Sequence, residues 1–125
     1  MFETSIVILN WNGIDFLKKF IPILIKHSSL PDVEIVVADN ASTDDSVNFL
    51  KTNFPSIRLI LHDKNYGFAE GYNKALSVLS SKYFIILNSD VEVTEGWLSP
   101  LIDTLRVNDD VAAVMPKIRN YYRRD

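Results

Sequence analysis

An α/β fold, with a mostly parallel central sheet and helices on both faces, is predicted by three features of this sequence. Short apolar runs rich in β-branched residues recur along it. The first, Ser5-Ile6-Val7-Ile8-Leu9, is apolar on both faces, as a strand buried between two helix layers must be. Apolar residues at helical spacing fill the stretches between the runs, which are long enough for crossover connections. Polar turns rich in Asn, Asp and Ser follow the runs.

The first strand ends in the turn Asn10-Trp11-Asn12-Gly13. From Asp15, a candidate cap, the pattern becomes helical, with Leu17, Phe20, Ile21 and Leu24 on one face. Pro22 lies inside that stretch and predicts a kink or a break, because it has no N–H and its ring crowds the preceding turn. Pro31 and Asp32 mark a turn before a second strand over Val33 to Ala38, interrupted by Glu34. The loop Asp39-Asn40-Ala41-Ser42 offers Ser42 as an N-cap, with Asp45 three positions on. Asp44 and Asp45 suit the positive end of a short helix whose inner face is Val47 and Leu50.

Pro55 closes that unit, and Ile57 to Leu61 makes a third strand. After the polar loop His62-Asp63-Lys64-Asn65-Tyr66-Gly67, apolar residues recur at helical spacing: Phe68, Tyr72, Ala75, Leu76 and Leu79. Phe68 and Tyr72 are expected to pack that helix on the sheet. Tyr83 to Leu87 is a fourth strand and ends in Asn88-Ser89-Asp90. Val91 to Thr94 reads as a short extended piece, and Thr94 as the cap of a helix carrying Leu98, Leu101, Ile102 and Leu105. Val111 to Met115 reads as a last strand, and Ile118 to Asp125 has no evident partner within the chain.

Composition narrows the function. With 125 residues, 47% of them apolar, the chain makes one domain, residues 1–125, with a real core. It has no cysteine, which excludes a disulfide framework and thiolate chemistry, and only His27 and His62 argue against a histidine-built metal centre. The net charge is −3, and basic residues gather only at Lys117, Arg119, Arg123 and Arg124, so no nucleic-acid groove is expected. The apolar runs Ile6 to Leu9 and Ile21 to Ile25 are too short to span a membrane. The start, Met1-Phe2-Glu3-Thr4, lacks the basic region of a secretion signal, so the expected location is cytoplasmic.

Ligands of open parallel sheets bind beyond the carboxyl ends of the strands. The strands of this chain deliver there Asn10 and Asn12, then Asp39, Asn40 and Ser42, then Asp63, Lys64 and Asn65, then Asn88 and Asp90. This rim has carboxylate character, so a phosphate-bearing ligand would need a divalent cation between it and Asp39 or Asp90, with Lys64 able to add one positive charge. The chain has neither a glycine-rich phosphate loop with its lysine nor the dinucleotide fingerprint, since Gly13 stands alone in the first turn.

Four linked motifs carry a resemblance: Ser5 to Gly13, Val36 to Asp44, Asn65-Tyr66-Gly67-Phe68-Ala69-Glu70-Gly71-Tyr72-Asn73, and Leu87-Asn88-Ser89-Asp90 with Gly96-Trp97-Leu98. In order and spacing over residues 5 to 105, the chain resembles the N-terminal nucleotide-sugar-binding part of the family 2 glycosyltransferases, and closest their rhamnosyltransferase-like branch. The resemblance implies a GT-A, Rossmann-like fold and inverting transfer of a sugar from a nucleoside diphosphate, dTDP- or UDP-linked, to an acceptor hydroxyl. Asn10 and Asn12 would line the nucleotide pocket, and Asp39, with Ser42 beside it, would bind base or ribose. Asn65, Gly67 and Phe68 would shape the base and diphosphate side, supported by Asn73. Asn88-Ser89-Asp90 occupies the place of the metal-binding Asp-x-Asp motif, with Asp90 as the ligand of Mg²⁺ or Mn²⁺ and Asn88 where the family has its first Asp. The general base, and the half that binds a carbohydrate or lipid-linked saccharide acceptor, would lie beyond Asp125. On this view the chain alone is inactive or weakly active. The basic tail of the full enzyme would lie near the inner face of an anionic membrane, and apolar surface near Trp97 or the last strand, or an unpaired sheet edge, would allow homodimers.

Other readings stay open. Asn10, Asn12, Asn65 and Asn73 can instead satisfy local backbone groups, and Asp39 and Asn88-Ser89-Asp90 can be plain turn residues. A nucleotidyltransferase that makes the activated sugar shares this kind of sheet, but normally carries a basic glycine-rich segment after its first strand, which Asn10 to Phe16 is not. A non-catalytic nucleotide-sugar-binding module is the third reading.

Overall fold

A computed structural model describes residues 1–123. Four strands alternate with four helices: β1 (Thr4–Asn10), α1 (Ile14–Ser28), β2 (Val33–Asp39), α2 (Ser46–Asn53), β3 (Arg58–Leu61), α3 (Gly67–Ser77), β4 (Tyr83–Leu87) and α4 (Leu98–Val107). The strands form one parallel sheet in the order β3-β2-β1-β4. This is the mostly parallel α/β architecture that the alternating pattern predicts.

Two apolar layers follow from the two-residue period of the strands. Ile6, Ile8 and Val37 turn to one face, where they meet Leu17, Ile21 and Leu24 of α1, Leu50 of α2, and Leu98 and Ile102 of α4. Val7, Val36 and Ala38 turn to the other, against Tyr72 and Ala75 of α3. Each large aliphatic side chain buried in these layers contributes about 1.5–3 kcal/mol. Gly71 lets α3 sit close: a Cβ there would come within 3.0 Å of the Leu9 side chain and of Asn40 Nδ2. On the α3 face, Phe84 and Ile86 of β4 remain uncovered, Ile86 with 55% of its surface exposed.

The chain runs outward from β1 to β2 and β3, then returns over the opposite face to place β4 on the other side of β1. The order therefore reverses between β1 and β4, and at such a reversal the connections diverge and leave a crevice at the carboxyl ends.

Several local expectations are corrected. Pro22 does not break α1, which runs unbroken from Ile14 to Ser28. Pro22 lies on the exposed face, and the buried face built from Leu17, Phe20, Ile21 and Leu24 outweighs one missing hydrogen bond. Glu34 does not interrupt β2, because its carboxylate accepts the Ser5 hydroxyl at 2.6 Å. Asp15, Ser42 and Thr94 do not cap; the cap positions belong to Gly13, Asp45 and Trp97. Phe68 does not pack on the sheet; it is 65% exposed, with its ring edge-on to Tyr72.

Val111 to Met115 forms no strand. β4 pairs only with β1 among the described residues, and this apolar segment pairs with none of the four strands. The tail does have a partner: the Tyr121 ring stands edge-on to Phe20, 6.0 Å between centroids, with the Lys19 ammonium 4.4 Å from its centre. Asn120 and Arg123 close an antiparallel bridge. Arg124 and Asp125, part of the basic tail, lie outside the described residues.

Candidate functional site

The β1–β2 ladder runs to its very end, Asn10 opposite Asp39, and is extended by the Asn40 amide bonding to the Asn10 carbonyl at 2.8 Å. The β1–β4 ladder stops earlier, at Ile8 opposite Leu87. Beyond that point β1 and β4 no longer pair, at the reversal of strand order where ligands of such sheets bind.

The β1 and β2 tips are joined by buried polar side chains. The Asn10 amide donates to Asp39 Oδ1 at 2.9 Å and to Ser42 Oγ at 3.2 Å. Asp39, 2% exposed, also accepts the Ser42 hydroxyl at 2.6 Å on Oδ1 and the Ser42 amide at 2.8 Å on Oδ2. These donors compensate the burial of a carboxylate. They also determine how Asn10 is turned, since its reverse orientation would aim the side-chain oxygen at Asp39. Asn10 Oδ1 consequently faces away and has no partner in the protein.

Asn12 ties the same two loops. Its backbone lies in the left-handed region, φ 51°. Its Oδ1 accepts the amides of Thr43 at 2.7 Å and Asp44 at 3.1 Å, and its own amide donates to Ser42 Oγ at 2.9 Å. Between Asn10 and Asn12 the Trp11 indole is 57% exposed. Asp44 secures the starts of two helices, accepting the Ile14 amide of α1 at 3.0 Å and the Ser46 amide of α2 at 2.9 Å. Burial pushes its carboxyl up, but hydrogen bonds from Ser46 and from the Ile14 amide hold it below the usual carboxylate range.

The β3 loop is knit separately. Asn40, also buried, donates to the Gly67 carbonyl at 3.0 Å, and Asn65 Oδ1 accepts the Gly67 amide at 2.8 Å. Gly67 has φ 74°, a conformation that favours glycine. His62 Nε2 bonds the Gly71 carbonyl at 3.1 Å, and the Tyr66 hydroxyl donates to Asp63 at 2.5 Å, which holds the Asp63 carboxyl below its ordinary range. Lys64 and Lys74 lie over the Tyr66 ring at 5.0 and 4.3 Å. Asn73 is exposed on α3. Because β3 is three strand spacings from β4, roughly 14 Å, Lys64 sits at the far end of the rim from Asp90.

On the β4 side Asn88 and Asp90 are exposed and Ser89 is half-buried. The two sides meet at Gly13. A Cβ built there would lie 2.6 Å from Asn10 Oδ1 and 3.8 Å from Ser89 Oγ, so the β1 tip and the Asn88-Ser89-Asp90 turn are neighbours across a position that must lack a side chain. Asn10, Asp39 and Ser42 are thus brought together, with Ser89 of the β4 turn across Gly13 from Asn10. Gly67, and Asn65 through it, attach to the same rim by way of Asn40, whereas exposed Phe68 contacts Tyr72.

Asn40 and Asp44, placed by the sequence at the second-strand rim and at the start of the following helix, are structural anchors between loops. Their polar character and place after a strand are visible in the sequence, but partners 27 and 30 positions away are not. No three acidic or histidine side chains converge among the described residues. Asp90 and Asn88 are exposed oxygen-bearing side chains at the end of β4.

The sequence profile of glycosyl transferase family 2 matches residues 5–124. An uncharacterized glycosyltransferase of Haemophilus influenzae is 25% identical over 113 residues, 88% of this chain and 35% of that protein. A mannosyltransferase of Pyrobaculum calidifontis, PcManGT, solved with GDP-Man and Mn²⁺, superposes with a TM-score of 0.73 at 20% identity, covering 82% of this chain and 32% of its own. TarS 1–349 of S. aureus with UDP-GlcNAc gives 0.72 at 19% identity, covering 83% and 31%. At these identities the two structures establish the likeness of fold. The chain spans about a third of the length of each of these relatives.

Proposed function

This chain belongs to glycosyl transferase family 2, and from that premise we propose that it is the donor-binding half of an inverting glycosyltransferase. Residues 1–125 hold a nucleoside-diphosphate sugar at the mouth between β1 and β4, and the acceptor-binding half and the general base belong to further sequence. The observation that carries this reading is the double neighbourhood of Asn10: bonded to Asp39 at 2.9 Å on one side, and next to Gly13 and Ser89 on the other. One short stretch of backbone thereby links a buried carboxylate, suited to reading polar groups of a nucleoside, to an exposed carboxylate, suited to a cation.

In this assignment Asp39, held by Asn10 and Ser42, keeps a remaining lone pair for a base or ribose donor. Asn12 holds the two loops in register. The Trp11 indole is free to lie against the base, and Asn65, Gly67 and Phe68 border it from the α3 side. Asp90, with Asn88 beside it, holds Mg²⁺ or Mn²⁺. When bound, the cation neutralises charge on the departing nucleoside diphosphate. The chain's own contribution is to orient the diphosphate so that the anomeric carbon faces an incoming hydroxyl. The ligands named for PcManGT and TarS, GDP-Man with Mn²⁺ and UDP-GlcNAc, support a sugar nucleotide and a divalent cation as the class.

Finer assignments rest on motif spelling. Asn10-Trp11-Asn12-Gly13 and Asn65 to Asn73 favour the rhamnosyltransferase-like branch and a dTDP- or UDP-linked donor. No helix among the described residues is long and apolar enough to cross a membrane; we place the enzyme in the cytoplasm, its acceptor a carbohydrate or lipid-linked saccharide at the inner membrane face. The uncovered Phe84 and Ile86 are where the acceptor half, or a second copy, would pack. Titration calorimetry with UDP, dTDP and GDP, with and without Mn²⁺, tests the reading. Metal-dependent binding of at least one is expected, and a folded sample that binds none refutes it.

A further inference from the structure

Tyr72 lies one turn from the start of α3 in the helical pattern, yet its hydroxyl reaches through the α3 face to the sheet. The residue is 4% exposed. Its oxygen accepts the Leu9 amide at 3.3 Å and donates to the Leu87 carbonyl at 3.0 Å. The Leu9 amide lies one residue past, and the Leu87 carbonyl at, the last rung of the β1–β4 ladder, Ile8 opposite Leu87. Leu9 is followed by Asn10, and Leu87 by Asn88-Ser89-Asp90. One hydroxyl therefore sits at the floor of the crevice, at the point from which both of its lips depart.

We propose that Tyr72 is a positioning residue that sets where β4 leaves β1 and thereby holds the Asn88-Ser89-Asp90 turn at its working distance from Asn10 and Asp39. The inference deepens the nucleotide-site reading and rests on it for its functional consequence. A phenol suits the task. It gives and takes one hydrogen bond at once, so it spans an N–H and a C=O without leaving either unmet. Burial raises its ionisation above the ordinary phenol range, so it keeps its proton at neutral pH. Gly71, immediately before it, leaves room for this close approach, since a Cβ there would meet the Leu9 side chain at 3.0 Å. A phenylalanine would fill the same apolar space beside Ala75 and lose only the two bonds.

The test compares wild type with Tyr72→Phe by amide exchange and by NMR of the free 125-residue chain. The Leu9 amide should exchange about tenfold faster, and the Asn88, Ser89 and Asp90 resonances should shift, while Val36 and Val37 of β2 keep their protection. Unchanged Leu9 exchange and unchanged turn resonances would overturn the proposal, as would a uniform rise in exchange over the whole sheet. Calorimetry adds the functional readout: Mn²⁺-dependent binding of UDP or GDP should weaken by about tenfold in Tyr72→Phe, with uridine or guanosine binding unaltered. Equal loss for nucleoside and diphosphate contradicts a role at the β4 turn. If wild type binds neither diphosphate, the donor-site reading fails, and amide exchange alone decides whether Tyr72 positions the turn.

Discussion

The side-chain amide of Asn10 donates to the Asp39 carboxylate at 2.9 Å, inside the protein rather than into the crevice. Both residues are buried, and the bond joins the tips of β1 and β2 at the last position of their ladder. Asn10→Ala removes one of the donors that compensate a buried carboxylate. Chemical denaturation should show a loss of about 2 kcal/mol, and nucleotide affinity should fall with it.

Gly13→Ala tests the crowding on the other side of Asn10. Its backbone, φ −104°, is open to any residue, so conformational strain is not the issue. The added methyl would lie 2.6 Å from Asn10 Oδ1 and would have to push Asn10 off Asp39. Over-packing of this kind costs about 1–3 kcal/mol. Denaturation midpoints and the Asp39 side-chain resonances would report it.

Asp44 accepts the first amide of two helices at once, so its loss should exceed that of an ordinary cap. Asp44→Ala is expected to destabilise by about 1–2 kcal/mol at neutral pH. Because its folded carboxyl titrates below its unfolded value, this stability is fully present above about pH 3.9. It is lost as pH falls through the lower folded value. Asp44→Asn should therefore flatten the acid limb of the stability curve, read from thermal melts at pH 2 to 6, roughly the range over which carboxylates titrate.

Intrinsic fluorescence separates the two tryptophans. Trp11 is exposed at the β1 lip, whereas the Trp97 indole donates to Ser28 Oγ at 3.2 Å on the sheet face covered by α1, α2 and α4. Quenching by UDP or GDP should vanish in Trp11→Phe and persist in Trp97→Phe. Trp11→Ala should cost about 1–3 kcal/mol of nucleotide affinity, the worth of stacking one base.

The strands were legible because their runs are apolar on both faces, which in β1 and β2 matches burial between two helix layers, although the same pattern in β4 leaves Phe84 and Ile86 uncovered. The strand-end location of the polar residues followed from the same runs. The caps were not legible. A local rule points to Ser42 and Asp15, but the Ile14 amide is served by Asp44, 30 positions on, which becomes a neighbour only once β1 and β2 pair. Pro22 misled for a related reason, since the penalty of one missing bond is local and the packing of Leu17, Ile21 and Leu24 is not. Val111 to Met115 has the composition of a strand but pairs with none of the four strands, and composition carries no information about pairing. At the site, Asn10 and Asp39 could be picked out by type and position. The hydrogen bonds that turn them toward each other are tertiary facts.

Paramagnetic broadening by Mn²⁺ with a saturating nucleoside diphosphate tests most directly whether β1 and β4 frame the cation site. Loss of the Gly13, Ser89 and Asp90 amide signals, with the His62 to Asn65 signals of the β3 loop retained, is the expected result. Broadening centred on His62 to Asn65, with Ser89 and Asp90 untouched, would contradict it.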